Sequence, residues 1–131
     1  MKDLDYLKWK RKNITLRGIR EPGEQNGVYG SFGEGLYTCS LSNRAMARQY
    51  GKVYFVVNGR PFHPKKFQGL NNFEIFRQKY ESVSAMRSDL ILQGYDGVEI
   101  PGREMVSYAP QNVYYFSEET NLINYYRHAN H

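Results

Sequence analysis

Three separated stretches of this chain hold residue types that could do chemistry together: Arg17-Gly18, Phe32-Gly33-Glu34-Gly35-Leu36-Tyr37 and Glu104-Met105-Val106-Ser107-Tyr108. Arginine offers a planar, permanently charged fork of donors that matches phosphate or carboxylate. Tyrosine has a flat apolar face and a hydroxyl, and stacks on a heterocycle as readily as it fills a strand. A carboxylate can steady positive charge that develops on a reacting group. Taken singly, each residue also has a plainer role: Arg17 as a strand-face cation, Tyr37 as core filling, Glu104 as a solvated strand end. Other chemistries are excluded. The glycines at 27, 30, 33 and 35 lead into a strand and no Gly-Lys-Ser/Thr occurs, whereas dinucleotide and P-loop glycines leave a strand and open a helix. His63, His128 and His131 are scattered and Cys39 has no partner cysteine, so no metal site is expected. With no activating base nearby in sequence, Cys39 reads as a small buried core residue.

The elements that must position these groups follow from periodicity. Residues 14–20 alternate apolar and polar, the pattern of a half-buried strand. Glu21-Pro22-Gly23 is a turn, and a glycine-rich loop through Gly27, Gly30 and Gly33 delivers a short strand over residues 35–38. Ser40 or Ser42 is placed to cap a helix with Ala45, Met46 and Tyr50 on its apolar face, ended by Gly51. Residues 52–57 are β-branched and aromatic, a strand, and Pro61 and Pro64 predict a loop after it. Phe73, Phe76, Tyr80, Val83, Met86 and Leu90 recur at helical spacing, with Ser82 and Ser84 placed to divide two helices and Gly94 to cap the second. Short strands are predicted at 98–100, 104–108 and 113–116, then a helix over 118–127. Regular βαβ alternation is absent. The fold class expected is α+β, one domain over residues 1–131.

Composition sets the outer bounds. The 131 residues hold 18 Lys and Arg against 13 Asp and Glu, a net +5, with a pI near 9.3, which favours anionic partners. Twelve tyrosines help bring the aromatic fraction to 15%. No apolar run approaches the roughly 18–20 residues that span a bilayer, so no membrane partner is expected. The lone cysteine and a start without an apolar leader core point to the cytoplasm.

In this order, the three stretches resemble the ADP-ribosyltransferase superfamily, including its poly-ADP-ribose-polymerase branch and small phage and bacterial members. The segment from Phe32 to Tyr37 is similar to that branch's Phe-Gly-x-Gly-Ile-Tyr, and the Ala45 to Tyr50 helix follows as in the family. Glu104-x-x-x-Tyr108 with Val113 downstream resembles the catalytic-glutamate strand, and Gly94-Tyr95-Asp96-Gly97-Val98 the segment before it. The likeness spans roughly residues 14–116. It implies two small, mainly antiparallel sheets at an angle with flanking helices and NAD in the cleft between them.

The resemblance also implies roles. Arg17, Tyr37 and Glu104 would be catalytic: Arg17 on the ribose or pyrophosphate, Tyr37 stacked on the nicotinamide, Glu104 on the ribose 2′-hydroxyl. Gly18 would offer its backbone to the carboxamide, and Gly35 would belong to the cofactor-binding set. Tyr50 or Tyr54 would complete the aromatic sandwich, and Ser40 or Ser42 would supply a serine where the polymerase branch carries one and this chain has Arg44. Arg17 replaces the polymerase histidine and suits the arginine-type subgroup, of whose Ser-Thr-Ser strand Thr38-Cys39-Ser40 is a partial echo. Gly102-Arg103-Glu104 lacks the first acid of Glu-x-Glu, which disfavours arginine as acceptor. The function implied is NAD-dependent mono-ADP-ribosylation, with NAD as substrate and no metal. The acceptor would be a macromolecule, protein or nucleic acid, such as a host defence, transcription or translation component met by a phage or bacterial effector. The rivals are an NAD glycohydrolase or RNA 2′-phosphotransferase on the same fold, or a non-enzymatic basic module that binds nucleic acid.

Overall fold

The computed structural model describes residues 4–20 and 30–129. Its elements run α1 (Leu4–Asn13), β1 (Ile14–Ile19), β2 (Leu36–Cys39), α2 (Arg44–Arg48), β3 (Lys52–Val57), β4 (Pro64–Lys66), α3 (Leu70–Arg77), α4 (Val83–Leu92), β5 (Gly97–Ile100), β6 (Glu104–Ser107), β7 (Tyr114–Phe116) and α5 (Glu119–Ala129). The class is α+β, as expected. The turn at Glu21-Pro22-Gly23 and the loop glycine Gly27 lie outside the described residues.

One sheet replaces the two that were expected. Seven strands hydrogen-bond in the order β4-β5-β6-β2-β1-β3-β7, antiparallel except for β4 beside β5. The reason is a seam. β1 meets β2 at one pair of opposed residues, Leu16 and Cys39, among the described residues, whereas β1 pairs with β3 over six and β2 with β6 over four. That contact makes the ladder continuous, yet leaves two well-paired groups of strands joined narrowly.

Each group has its own core. Phe73 of α3 and Met86 and Leu90 of α4 bury against Val98, Ile100 and Val106. On the other side of the seam Tyr6 of α1, Ala47 of α2 and Leu122 of α5 bury against Ile14, Leu16, Phe55 and Val57. The register carries Leu16 to Cys39, Glu104 and Ile100 across the seam, so both cores share one face. The opposite face is crossed by the chain after β3. A side chain at Gly59 would collide with Thr15 and Val56, Arg60 pairs with Glu99 at 2.7 Å, and Pro61 lies on Gly97. This strap explains why β1, patterned as half-buried, is buried along Ile14–Gly18 on both faces.

Two local expectations need correction, and one helix was not expected. The basic N-terminal segment forms α1, held by Tyr6 and Trp9 packing on Tyr126 at 5.4 and 5.0 Å between ring centroids. Pro64 opens an edge strand instead of continuing a loop, which its missing N–H permits at a strand start. Neither Ser40 nor Ser42 caps α2: Asn43 precedes it, with no side-chain cap, and the two serine hydroxyls face each other at 3.0 Å. Ser82 does cap α4, accepting from Ala85 N at 3.0 Å, and Gly94 follows that helix at φ 97°.

Candidate functional site

Beyond Leu16 and Cys39 the strands of the seam part, and a cavity of about 510 Å³ opens between them. Its wall draws on both faces of the sheet, Tyr37, Cys39 and Glu104 from the helix side and Arg17 and Thr38 from the other. Such mixing is available only where a ladder splays. α2 closes one flank with Met46, and the turn after it adds Tyr50, whose N–H donates back to the Ala47 carbonyl at 3.0 Å. Gly18 makes that closure possible: a Cβ there would lie 1.9 Å from the Ala47 carbonyl oxygen.

Arg17 stands in for the missing ladder. Only 7% exposed, it sends Nη1 across the gap to donate to the Tyr37 carbonyl at 2.8 Å. Its Nε is buried without a partner among the described residues, and no carboxylate there forms an ion pair with it. A buried, charged donor left unanswered is costly, and this one borders an open cavity. An acceptor-bearing ligand would satisfy it.

Tyr37 is held rigidly. Its ring stacks on Phe32 with centroids 5.9 Å apart and planes 7° from parallel. Its hydroxyl donates to the Gly33 carbonyl at 2.5 Å and accepts from Phe32 N at 3.1 Å. Tyr108 donates to the Phe32 carbonyl at 2.7 Å, and Arg87 of α4 donates from Nε to the Glu34 carbonyl at 2.8 Å. The turn that delivers Tyr37 is thus fastened to the neighbouring core. Burial, ahead of the nearby Glu104 charge, pushes the Tyr37 phenol up to about 12.

Glu104 is the acid of the site. It stands opposite Cys39 while Tyr37 stands opposite Val106, so Glu104 and Tyr37 are diagonal neighbours on one face, within reach of long side chains. Arg103 Nε donates to Glu104 Oε2 at 3.1 Å. The Arg103 carbonyl accepts from Ser40 N at 3.1 Å, which ties the start of β6 to the approach of α2. Burial, then Glu104, pushes the Cys39 thiol up to about 11 against the pull of Arg103 and Arg17. That direction disfavours the thiolate, the nucleophilic form, at neutral pH.

Of the residues singled out in the sequence, Arg17, Gly18, Tyr37, Tyr50 and Glu104 converge on the cavity. Four do not. Tyr54 stands opposite Arg17 on β3 and packs edge-on against Tyr115 at 6.4 Å, on the face away from Tyr37, so Tyr50 is the second tyrosine of the cavity. Gly35 is required by β6 instead: a Cβ there would lie 2.5 Å from the Ser107 carbonyl oxygen. Ser40 and Ser42 sit outside the wall, bonded to each other. Met46, Thr38 and Arg20 line the cavity without having been singled out. The i, i+4 spacing of Met46 and Tyr50 was a usable signal; Arg87 had none, since its partners are brought to it by tertiary packing. Among the described residues no cluster of His, Cys, Asp and Glu could hold a metal ion, and no helix is long and apolar enough to cross a membrane.

No protein-family model and no curated protein matches this chain. A solved structure, the crystal structure of an anti-CRISPR protein, is similar at a TM-score of 0.44 and 15% identity, covering 79% of this chain and 94% of that one.

Proposed function

We propose that the chain is an NAD-dependent mono-ADP-ribosyltransferase, with the nicotinamide riboside end of NAD in the seam cavity. The observation that carries this reading is the convergence of Arg17, Tyr37 and Glu104, from three distant segments, on one cavity. About 510 Å³ lies within the roughly 300–1,000 Å³ usual for a ligand pocket. Arg17 Nε supplies an unanswered donor for a ribose or phosphate oxygen. Tyr37, fixed at its hydroxyl, lines the cavity without need of reordering on binding, and Tyr50 lines it from the turn after α2.

The chemistry follows. The bond between ribose C1′ and the nicotinamide nitrogen breaks, its electron pair goes to that nitrogen, and the ring leaves neutral. Glu104 stabilises the positive charge left on the sugar, as carboxylates do in glycoside cleavage. A nucleophile of the acceptor then bonds to C1′ and releases its proton. Arg103, held against Glu104, puts a cation where an arginine acceptor would have to sit, so the acceptor group is neutral or anionic. The test is nicotinamide release from NAD by Glu104→Gln. An isosteric loss of this charge should cut turnover by about 10²–10³, the usual effect of removing one preorganised electrostatic group, with the circular dichroism spectrum unchanged. Wild-type release by that variant overturns the reading.

A further inference from the structure

The whole charge excess lies in one half of the sequence. Residues 1–57 hold ten Lys and Arg against five Asp and Glu, while residues 58–131 hold eight of each. Lys8, Arg11 and Lys12 of α1 and Arg44 and Arg48 of α2 are exposed. The two helices' cations meet over one ring: Lys10 Nζ lies 5.0 Å and Arg44 Cζ 5.8 Å from the Phe55 centroid. Lys10 is neutralised by Glu119. Among the described residues no carboxylate forms an ion pair with the other five, though the Glu119 carboxylate that holds Lys10 is also stabilised at longer range by Arg44.

Local helix electrostatics do not account for this placement. Cations in the last turn of α1 do favour its C-terminus, but Lys8 lies earlier. Arg44 opens α2, whose first turn holds no acid, at the end where a cation is unfavourable. Asymmetry of charge between two halves is the mark of a polyanion-binding surface. The strip's aromatic neighbour Trp9 is already packed against Tyr125 and Tyr126, which leaves charge, not base stacking, as the means of recognition.

We propose that the α1–α2 strip binds the phosphate backbone of a nucleic acid. α2 turns Met46 into the cavity, while Arg44 and Arg48 lie two residues to either side of it, about 200° round the helix. A strand on the strip therefore runs one helix width from the cavity. Where this rests on the transferase reading, it makes the docked nucleic acid the carrier of the acceptor group.

The test is fluorescence anisotropy of a labelled single-stranded RNA and a DNA duplex, titrated with the full chain at several salt concentrations. Affinity should fall steeply with salt. R44Q/R48Q, both exposed, should weaken binding, and its log–log salt slope should be shallower by about 1.4 for the single strand and about 1.8 for the duplex, two phosphate contacts' worth. K8Q/R11Q/K12Q should weaken binding further, and K66Q, in the charge-balanced half, should leave it unchanged. Absence of salt-dependent binding, or binding indifferent to both strip variants, overturns the proposal. So does a strip that takes up only vesicles of anionic lipid, through exposed Leu4 and Leu7 beside Lys8, or only an acidic protein. RNA binding without nicotinamide release rejects the transferase reading and keeps the strip. Release with strip variants that bind RNA normally does the reverse.

Discussion

The two sides of the seam are built by different means. On the β5–β6 side, polar side chains fasten backbone to backbone. Asp96 accepts from the N–H groups of Phe62 and His63 at 2.9 and 2.7 Å, Arg87 and Tyr108 hold the Phe32–Glu34 turn, and Ser82 caps α4. On the β1–β3 side the anchors join helix to helix: Tyr6 and Lys10 of α1 both bond to Glu119 of α5, Tyr6 and Trp9 pack on Tyr125 and Tyr126, and the surplus charge lies outside. One side is a pinned shelf that presents Tyr37 and Glu104. The other contributes Arg17, Gly18 and Tyr50, and the surface on which a large partner would land. The cavity needs both, and forms where they are least joined.

The largest effect expected on this comparison comes from emptying the pinned core. Phe73→Ala removes a side chain with no exposed surface and two aromatic partners, Phe32 at 4.7 Å and Phe67 at 5.4 Å, and should cost about 3–5 kcal/mol in urea denaturation. Leu122→Ala in the other core should cost about 2–5 kcal/mol. The two sites share no partners, so the double variant should be near the sum. A large coupling energy would mean that the two sides are one core.

A smaller effect is expected at the seam itself. Gly18→Ala forces a Cβ onto the Ala47 carbonyl and should cost about 1–3 kcal/mol while lifting α2, and Tyr50 with it, off β1. Ligand affinity should fall more than stability alone explains. An unchanged melting temperature would refute the close approach. Ser82→Ala, remote from the seam, should cost about 1 kcal/mol and leave any cavity ligand's affinity untouched; a loss of affinity would show that the shelf is less rigid than its anchors suggest.

Alkaline pH sharpens the comparison without mutation. Tyr37 is pushed up to about 12 and Cys39 to about 11, each chiefly by burial, and Tyr6 and Tyr108 also titrate above their ordinary range. All stay protonated in the fold at pH values where the unfolded chain ionises. Their contribution is therefore complete below the ordinary values and is lost as pH rises through the raised ones. Ultraviolet titration should show part of the tyrosine absorbance appearing late, between about pH 10 and 12, together with unfolding. Tyr37→Phe should remove one late group.

Legibility in the sequence tracked how local each signal was. Strand β3, the paired helices α3 and α4 with a serine-marked break between them, and the Gly94 stop could all be read, because periodicity and helix-ending signals act within a few residues. The meeting of Arg17, Tyr37 and Glu104 at one cavity was legible only as the order of three short motifs. Helix α1 was missed because its mean hydropathy is low and its stability comes from Trp9 and Tyr6 meeting α5, over a hundred residues away. Strand β4 was missed because a proline at a strand start looks like a loop. Tyr54 was misplaced because register, set by pairing with β1, decides which face a strand residue takes. Gly18 and Gly35 were recognised as special, but the backbone each admits is the protein's own.

The most direct measurement is an NAD titration followed by backbone amide NMR. The account predicts shifts centred on Gly18, Tyr37, Cys39 and Glu104, reduced in Arg17→Met, with the α3 and α4 amides of the pinned core unmoved. Spectra unchanged at saturating NAD, or shifts gathered away from the seam, would contradict it.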